Sequence, residues 1–85
     1  MRKIKTSRRF DKDLQKFGLS APLIDVLGHL LHGSRLPEKY RDHVLTGNWQ
    51  DYRDCHIKPD QVLIYRIHGD TIELHRMGTH AELFG

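Results

Sequence analysis

The sequence predicts an α+β domain in which a helical hairpin covers one face of a curled antiparallel β-sheet. Three observations carry this. Apolar residues recur at helical spacing from Phe10 to Leu31, the period becomes strand-like after Asp42, and the strand-length segments are divided by turns too short for parallel crossovers. A helix with one apolar stripe must bury it, and here only the sheet offers a surface. At 85 residues the chain is expected to be a single domain, residues 1–85.

Each element follows in order. Met1 to Thr6 is short, alternates and has Ile4 as its apolar side chain, which reads as a strand. Ser7 is a suitable N-cap for a helix whose inner face is Phe10, Leu14 and Phe17, and Gly18 stops it. Ser20 caps a second helix with Pro22 in its first turn, a stripe of Leu23, Val26, Leu27, Leu30 and Leu31, and Gly33 at its end. Ser34 to Asp42, with Pro37 and several charges, is expected to be an exposed connection. His43–Trp49, Tyr52–Lys58, Val62–His68 and Thr71–Met77 are then expected strands, with turn signals at Gly47-Asn48, Pro59-Asp60 and Gly69-Asp70. Val62-Leu63-Ile64-Tyr65 is apolar on both faces, which suits the central strand. Gly78 breaks the last strand and sets Thr79 and His80 on an exit turn, with Phe84 one helical turn beyond.

Composition excludes several classes. No apolar run approaches the roughly 20 residues of a membrane span, and the basic N-terminus lacks the apolar stretch of a secretion signal, so a cytoplasmic protein is expected. The single cysteine, Cys55, forms neither an internal disulfide nor a paired-cysteine zinc site and reads as a small buried hydrophobe. The net charge of +3 permits a polyanionic partner without requiring one. Its distribution says more. Lys3, Lys5, Arg8, Arg9, Lys12 and Lys16 crowd the first sixteen residues against only Asp11 and Asp13, which suits RNA phosphates, an acidic protein or a plain solvated helix face.

The seven histidines divide into two groups. His29 and His32 share a helix, three residues apart, but no third metal ligand is near in sequence. His68 precedes a Gly-Asp turn and reads as solvated. His56 shares strand parity with Tyr52, Asp54 and Lys58, so its face is polar and is either exposed surface or a binding platform. Asp60 at the Pro59 turn suits base or orienting chemistry, or ordinary turn chemistry. His43 opens a strand at a loop end, where functional side chains often project. The tail from His75 to Gly85 combines the guanidinium of Arg76, the imidazole of His80 and the ring of Phe84. A guanidinium grips phosphate, an imidazole moves protons near neutral pH, and a phenyl ring stacks on a base or plugs the sheet end.

Several linked motifs also carry a resemblance. Tyr40-Arg41-Asp42-His43-Val44-Leu45-Thr46-Gly47-Asn48-Trp49, then Tyr52 to Asp60, Leu63-Ile64-Tyr65 and the tail from Arg76 to Gly85 closely resemble the YafQ-like toxins of the RelE/ParE superfamily, over about half the chain. The resemblance implies a RelE-like microbial ribonuclease fold and the toxin of a type II toxin-antitoxin pair. It implies a ribosome-dependent endoribonuclease that cuts mRNA in the ribosomal A site without a cofactor. It also implies a DinJ-like antitoxin partner of the ribbon-helix-helix kind, ribosomal RNA contacts through the basic N-terminal residues, and DNA contact only through the antitoxin. Carried over position by position, the functional residues fall on His43, His56, Asp60, Arg76, His80 and Phe84. Gln61 stands where the family has a tryptophan, which bears on base stacking at that position.

RNA contains its own nucleophile, the 2′-hydroxyl, so two proton-movers and one cation suffice for the reaction without a metal. His80 is expected to be the general acid and Arg76 to hold the scissile phosphate. His43, His56 and Asp60 share base, orienting and charge-stabilising roles that the sequence leaves unapportioned. Two other readings of the chain stay open. One is a ParE-like toxin that poisons gyrase by binding, and the other is a scaffold that only binds an antitoxin.

Overall fold

Ser7 and Ser20 decide where the two long helices begin. In the computed structural model, which describes residues 1–85, the Ser7 Oγ accepts from the Phe10 N–H at 3.0 Å and the Ser20 Oγ from the Leu23 N–H at 3.3 Å. These caps satisfy N–H groups that the first helical turns leave without partners. Strand β1 is Lys3–Thr6, helix α1 Arg8–Phe17 and helix α2 Ala21–His32. Gly33 ends α2 in the left-handed conformation at φ 72°, which glycine adopts without a Cβ penalty.

The rest of the chain forms β2 (His43–Val44), β3 (Arg53–Lys58), β4 (Gln61–His68), β5 (Thr71–Gly78) and a short helix α3 (His80–Phe84). The sheet order is β1-β5-β4-β3-β2, so the all-apolar β4 segment is central, as expected. The α+β class is also as expected. The sheet is mixed, however, because β1 joins β5 in parallel while the other pairs are antiparallel. The crossover needed for a parallel neighbour is the helical hairpin together with the strands that follow it. Ser7 secures that junction a second time, its Oγ donating to the His75 carbonyl at 2.6 Å.

One face of this sheet holds the core. Phe10, Leu23, Val26 and Leu30 from the helices pack with Cys55, Ile57, Leu63, Tyr65, Ile72, Leu74 and Met77 from the strands. Fully burying each large apolar side chain contributes roughly 1.5–3 kcal/mol, so this layer dominates the stability of the fold. Cys55 is completely buried within it, and burial pushes its thiol well above the ordinary range. No helix is long and apolar enough to cross a membrane.

Two sequence expectations need correction. The connection Ser34–Asp42 is not wholly exposed: Leu36 and Tyr40 are buried, and a 3-10 turn at Glu38–Tyr40 turns the Tyr40 ring inward. The Tyr40 hydroxyl donates to Asp25 Oδ2 at 2.5 Å, and that bond is the largest reason its pKa is pushed up to about 12. The expected strand His43–Trp49 keeps only two residues of β structure. Gly47 takes φ 69° and starts a 3-10 turn through Trp49, so the Gly-Asn pair ends the strand early.

Candidate active site

The parity of β3 builds the site. Cys55 and Ile57 face the core, which turns Asp54 and His56 to the opposite face, and a register shift follows His56 before Lys58. Asp54 is nevertheless only 2% exposed. Across the ladder its partner is His43, whose Nδ1 lies 2.9 Å from Asp54 Oδ1 and 2.9 Å from the Arg41 carbonyl oxygen. One Nδ1 proton serves one acceptor at a time. With that proton on Arg41, Asp54 Oδ1 is buried beside the ring with no hydrogen bond.

Register brings the other imidazoles to the same place. His56 pairs with Val62, and Val62 pairs on its other side with Gly78, two residues before His80. Burial raises the Asp54 carboxyl above the usual range, and the charges of His43, then His56, then His80 pull it back. Asp54 is therefore a buried carboxylate in contact with His43 and within electrostatic reach of His56 and His80. Single-chain reading marked its parity with His56 but passed over it as a site residue. An aspartate between Arg53 and Cys55 does not announce burial.

The tail is locked by its own chemistry. Thr79 caps α3, accepting from the Glu82 N–H at 3.2 Å, while Glu82 Oε1 accepts from the Thr79 N–H at 2.9 Å. Lys16 donates to Glu82 at 2.6 Å, and this bond with the Thr79 contacts holds the Glu82 carboxyl down at about 2. Gly78 leaves little room beside α3: a Cβ there would sit 3.3 Å from Glu82 Oε1 and 3.4 Å from Leu83 Cδ2. His80 itself remains exposed at the start of α3.

Phe84 lies beside His80, ring centroids 4.9 Å apart, and its ring is also 6.2 Å from that of Trp49. Trp49 in turn meets Tyr52 at 5.9 Å and His75 at 5.4 Å. This cluster was not foreseen from sequence, because a tryptophan assigned to a strand carries no sign of the loop that folds it onto the tail. His75 is the extra residue of a bulge in β5, since Ile64 pairs with Arg76 and Tyr65 with Leu74. Burial, followed by the nearby Arg76, lowers its basicity below that of free imidazole.

Arg76 is not a loose cation. Its Nε donates to Asp13 Oδ2 at 2.8 Å and its Nη2 to Asp13 Oδ1 at 3.3 Å, and Asp13 Oδ2 also accepts from the Met77 N–H at 2.9 Å. Asp60 stands exposed on the β3–β4 turn, among neither the ion pairs nor the side-chain hydrogen bonds of the fold. Gln61 opens β4 and is 6% exposed. Of the expected residues, the register thus sets His43 and Arg76 in one row through Asp54 and Ile64 and His56 in the next row with Gly78, Phe84 stacks beside His80, and Asp60 stands exposed on the turn. On α2, His29 bonds to Ser34 at 3.0 Å and lies 3.5 Å from Asp25, with no set of three or more ligating side chains arranged for a metal.

Residues 2–85 match the family model described as "Bacterial toxin of type II toxin-antitoxin system, YafQ". The chain is 37% identical over 82 residues to the mRNA interferase toxin YafQ of Escherichia coli K12, covering 96% of this chain and 84% of that protein. It is 44% identical to a metal-bound toxin from Helicobacter pylori, with a TM-score of 0.88 over 99% of this chain and all of that one. It is also 38% identical, with a TM-score of 0.86 over the full length of both chains, to a chain in the crystal structure of the E. coli DinJ-YafQ complex.

Proposed function

The chain belongs to the YafQ family of type II toxin-antitoxin toxins, and from that premise we propose that it is an endoribonuclease that cuts mRNA on the ribosome. The observation that supports this best is the contact of His43 with the buried carboxylate of Asp54 on the sheet face that also carries His56, in the row that ends at Gly78, two residues before His80. Such a group moves protons and steadies charge, and RNA brings the nucleophile.

In this reading His56 removes the proton of the 2′-hydroxyl, whose oxygen then attacks the adjacent phosphorus. The bond to the 5′-oxygen breaks, and that oxygen takes a proton from His80. The products are a 2′,3′-cyclic phosphate and a 5′-hydroxyl, with no atom supplied from outside. His43, its ring oriented by the Arg41 carbonyl and Asp54, donates to a non-bridging phosphate oxygen. Phe84, half-buried beside His80, offers its ring to a base, and Asp60 on the exposed turn orients the incoming strand. Gln61 adds little stacking area, because it is almost wholly buried. Arg76 contributes fixed positive charge while Asp13 holds it in place.

The toxin is neutralised by a cognate antitoxin, as a partner of the kind that the E. coli relative binds as DinJ. The basic residues of β1 and α1 face ribosomal RNA. The test is a purified translation reaction with the 5′ ends of the message mapped. Cuts on ribosome-bound message, absent with His80→Ala, are expected. Intact message together with gyrase-linked DNA breaks would replace this reading with that of a gyrase poison.

A further inference from the structure

We infer that the cavity beside His56 is a subsite for the phosphate of the nucleotide next to the cut bond, an inference that rests on the ribonuclease reading. The cavity holds about 380 Å³ and is lined by Lys39, Arg41, His56 and Lys58 around the Tyr40 ring, with no carboxylate on its wall. That is the lower range of small-ligand sites, room for a phosphate and its sugar.

The charge pattern separates these cations from the arginines of β3, β4 and β5. Arg53 is paired with Asp42, Arg66 with Glu73, and Arg76 with Asp13. Lys39, Arg41 and Lys58 enter no ion pair and are all exposed. Unneutralised charge around one concavity is a site for an anion, and His56, a residue of the proposed reacting centre, is part of its wall. Lys58 follows His56 by two residues across a register shift in the β3–β4 ladder, and both line the cavity.

The walls are prebuilt. Tyr40 is held by its bond to Asp25, and the Lys39 ammonium lies 5.1 Å from the Tyr40 ring centroid. Arg41 adopts φ 50° and ψ 46°, a left-handed conformation uncommon for a residue with a side chain. Its N–H bonds to the Glu38 carbonyl at 3.0 Å, and its own carbonyl faces His43 Nδ1 at 2.9 Å. Strain of this kind persists where the surroundings over-determine it and clusters at functional positions. One residue therefore links the anion cavity to the catalytic ring, its side chain lining the first and its backbone orienting the second.

The test is an NMR titration of the full chain with adenosine 3′,5′-bisphosphate, adenosine 5′-monophosphate and inorganic phosphate. The bisphosphate is expected to move the amides of Lys39, Arg41 and Lys58 together with those of His43 and His80, and to bind more tightly than either single-phosphate probe. The double variant Lys39→Ala/Lys58→Ala should lose at least about tenfold in bisphosphate affinity and flatten its salt dependence by about 1.4, roughly 0.7 for each lost phosphate contact on a single strand. Arg41→Gly, which keeps the positive φ, should weaken binding without lowering Tm. Shifts confined to His43 and His80, or an undiminished affinity in a double variant that melts like the parent, would overturn the subsite. If message cleavage failed while the bisphosphate still filled the cavity, the ribonuclease reading would fall and the anion site would stand.

Discussion

The arginines of β3, β4 and β5 and the cations around the β2–β3 rim differ in how their charge is balanced. In the body of the sheet Arg53, Arg66 and Arg76 each grip a carboxylate, Arg76 so fully that Asp13 also takes the Met77 N–H. Around the β2–β3 rim and the start of α3, Lys39, Arg41, Lys58 and His80 make no ion pair, and the only buried carboxylate there, Asp54, is in contact with His43 and within electrostatic reach of His56 and His80. Neutralised charge fixes elements to one another. Charge left open is free for a ligand that brings its own anion. Arg76 keeps the phosphate role proposed for it, with its guanidinium anchored to α1 by Asp13, and the rim adds cations that no carboxylate neutralises.

The largest expected effect breaks the rim. His80→Ala should lower cleavage roughly 10²–10⁴-fold, the usual contribution of a positioned proton donor, with Tm unchanged because the ring is exposed. Single-turnover cleavage of ribosome-bound message measures this. Asp54→Asn comes next, with a loss of about 10–100-fold in cleavage and no loss of stability. Its sign is definite. Burial raises the folded-state pKa of Asp54, so its favourable contribution is fully present below the unfolded value and is lost as pH rises through the folded value. Melting curves from pH 3 to 7 should show the parent losing stability relative to the Asn variant over that rise.

The body of the sheet should behave in the opposite way. Asp13→Ala should cost roughly 1–3 kcal/mol in denaturant unfolding, because it strands the Arg76 guanidinium and the Met77 N–H together. Unchanged stability with a raised KM would instead confine the Asp13 anchor to substrate binding. The smallest effect belongs to His75. Its folded-state basicity is lowered, so the associated stability is present above about pH 6.5, the unfolded value, and is lost as pH falls through the folded value. His75→Phe should remove that part of the pH dependence of Tm and leave the rest.

Much of the fold was legible because local rules and global packing agree. Ser7, Gly18, Ser20 and Gly33 bound the helices where capping chemistry places them, and β4 is central because its apolar run needs cover on both faces. The expected strand from His43 failed where Gly47 turns the chain, and Tyr40 proved buried because its aspartate partner lies fifteen residues away on α2. The site was half legible. His43, His56, His80 and Phe84 stand out as residue types, and the resemblance aligned them. Asp54 and Asp13 did not stand out, since their meaning comes from depth and from partners across the sheet, which no local pattern encodes.

The central claim is that His43, His56 and His80 cleave RNA through its own 2′-hydroxyl. The direct measurement is the chemical nature of the ends produced from a ribosome-bound message carrying a single 2′-deoxy nucleotide at the preferred cut. The account predicts 2′,3′-cyclic phosphate and 5′-hydroxyl ends on the unmodified message and no cut at the deoxy position. Equal cleavage at the deoxy position, or a 5′-phosphate at the new end, would contradict it.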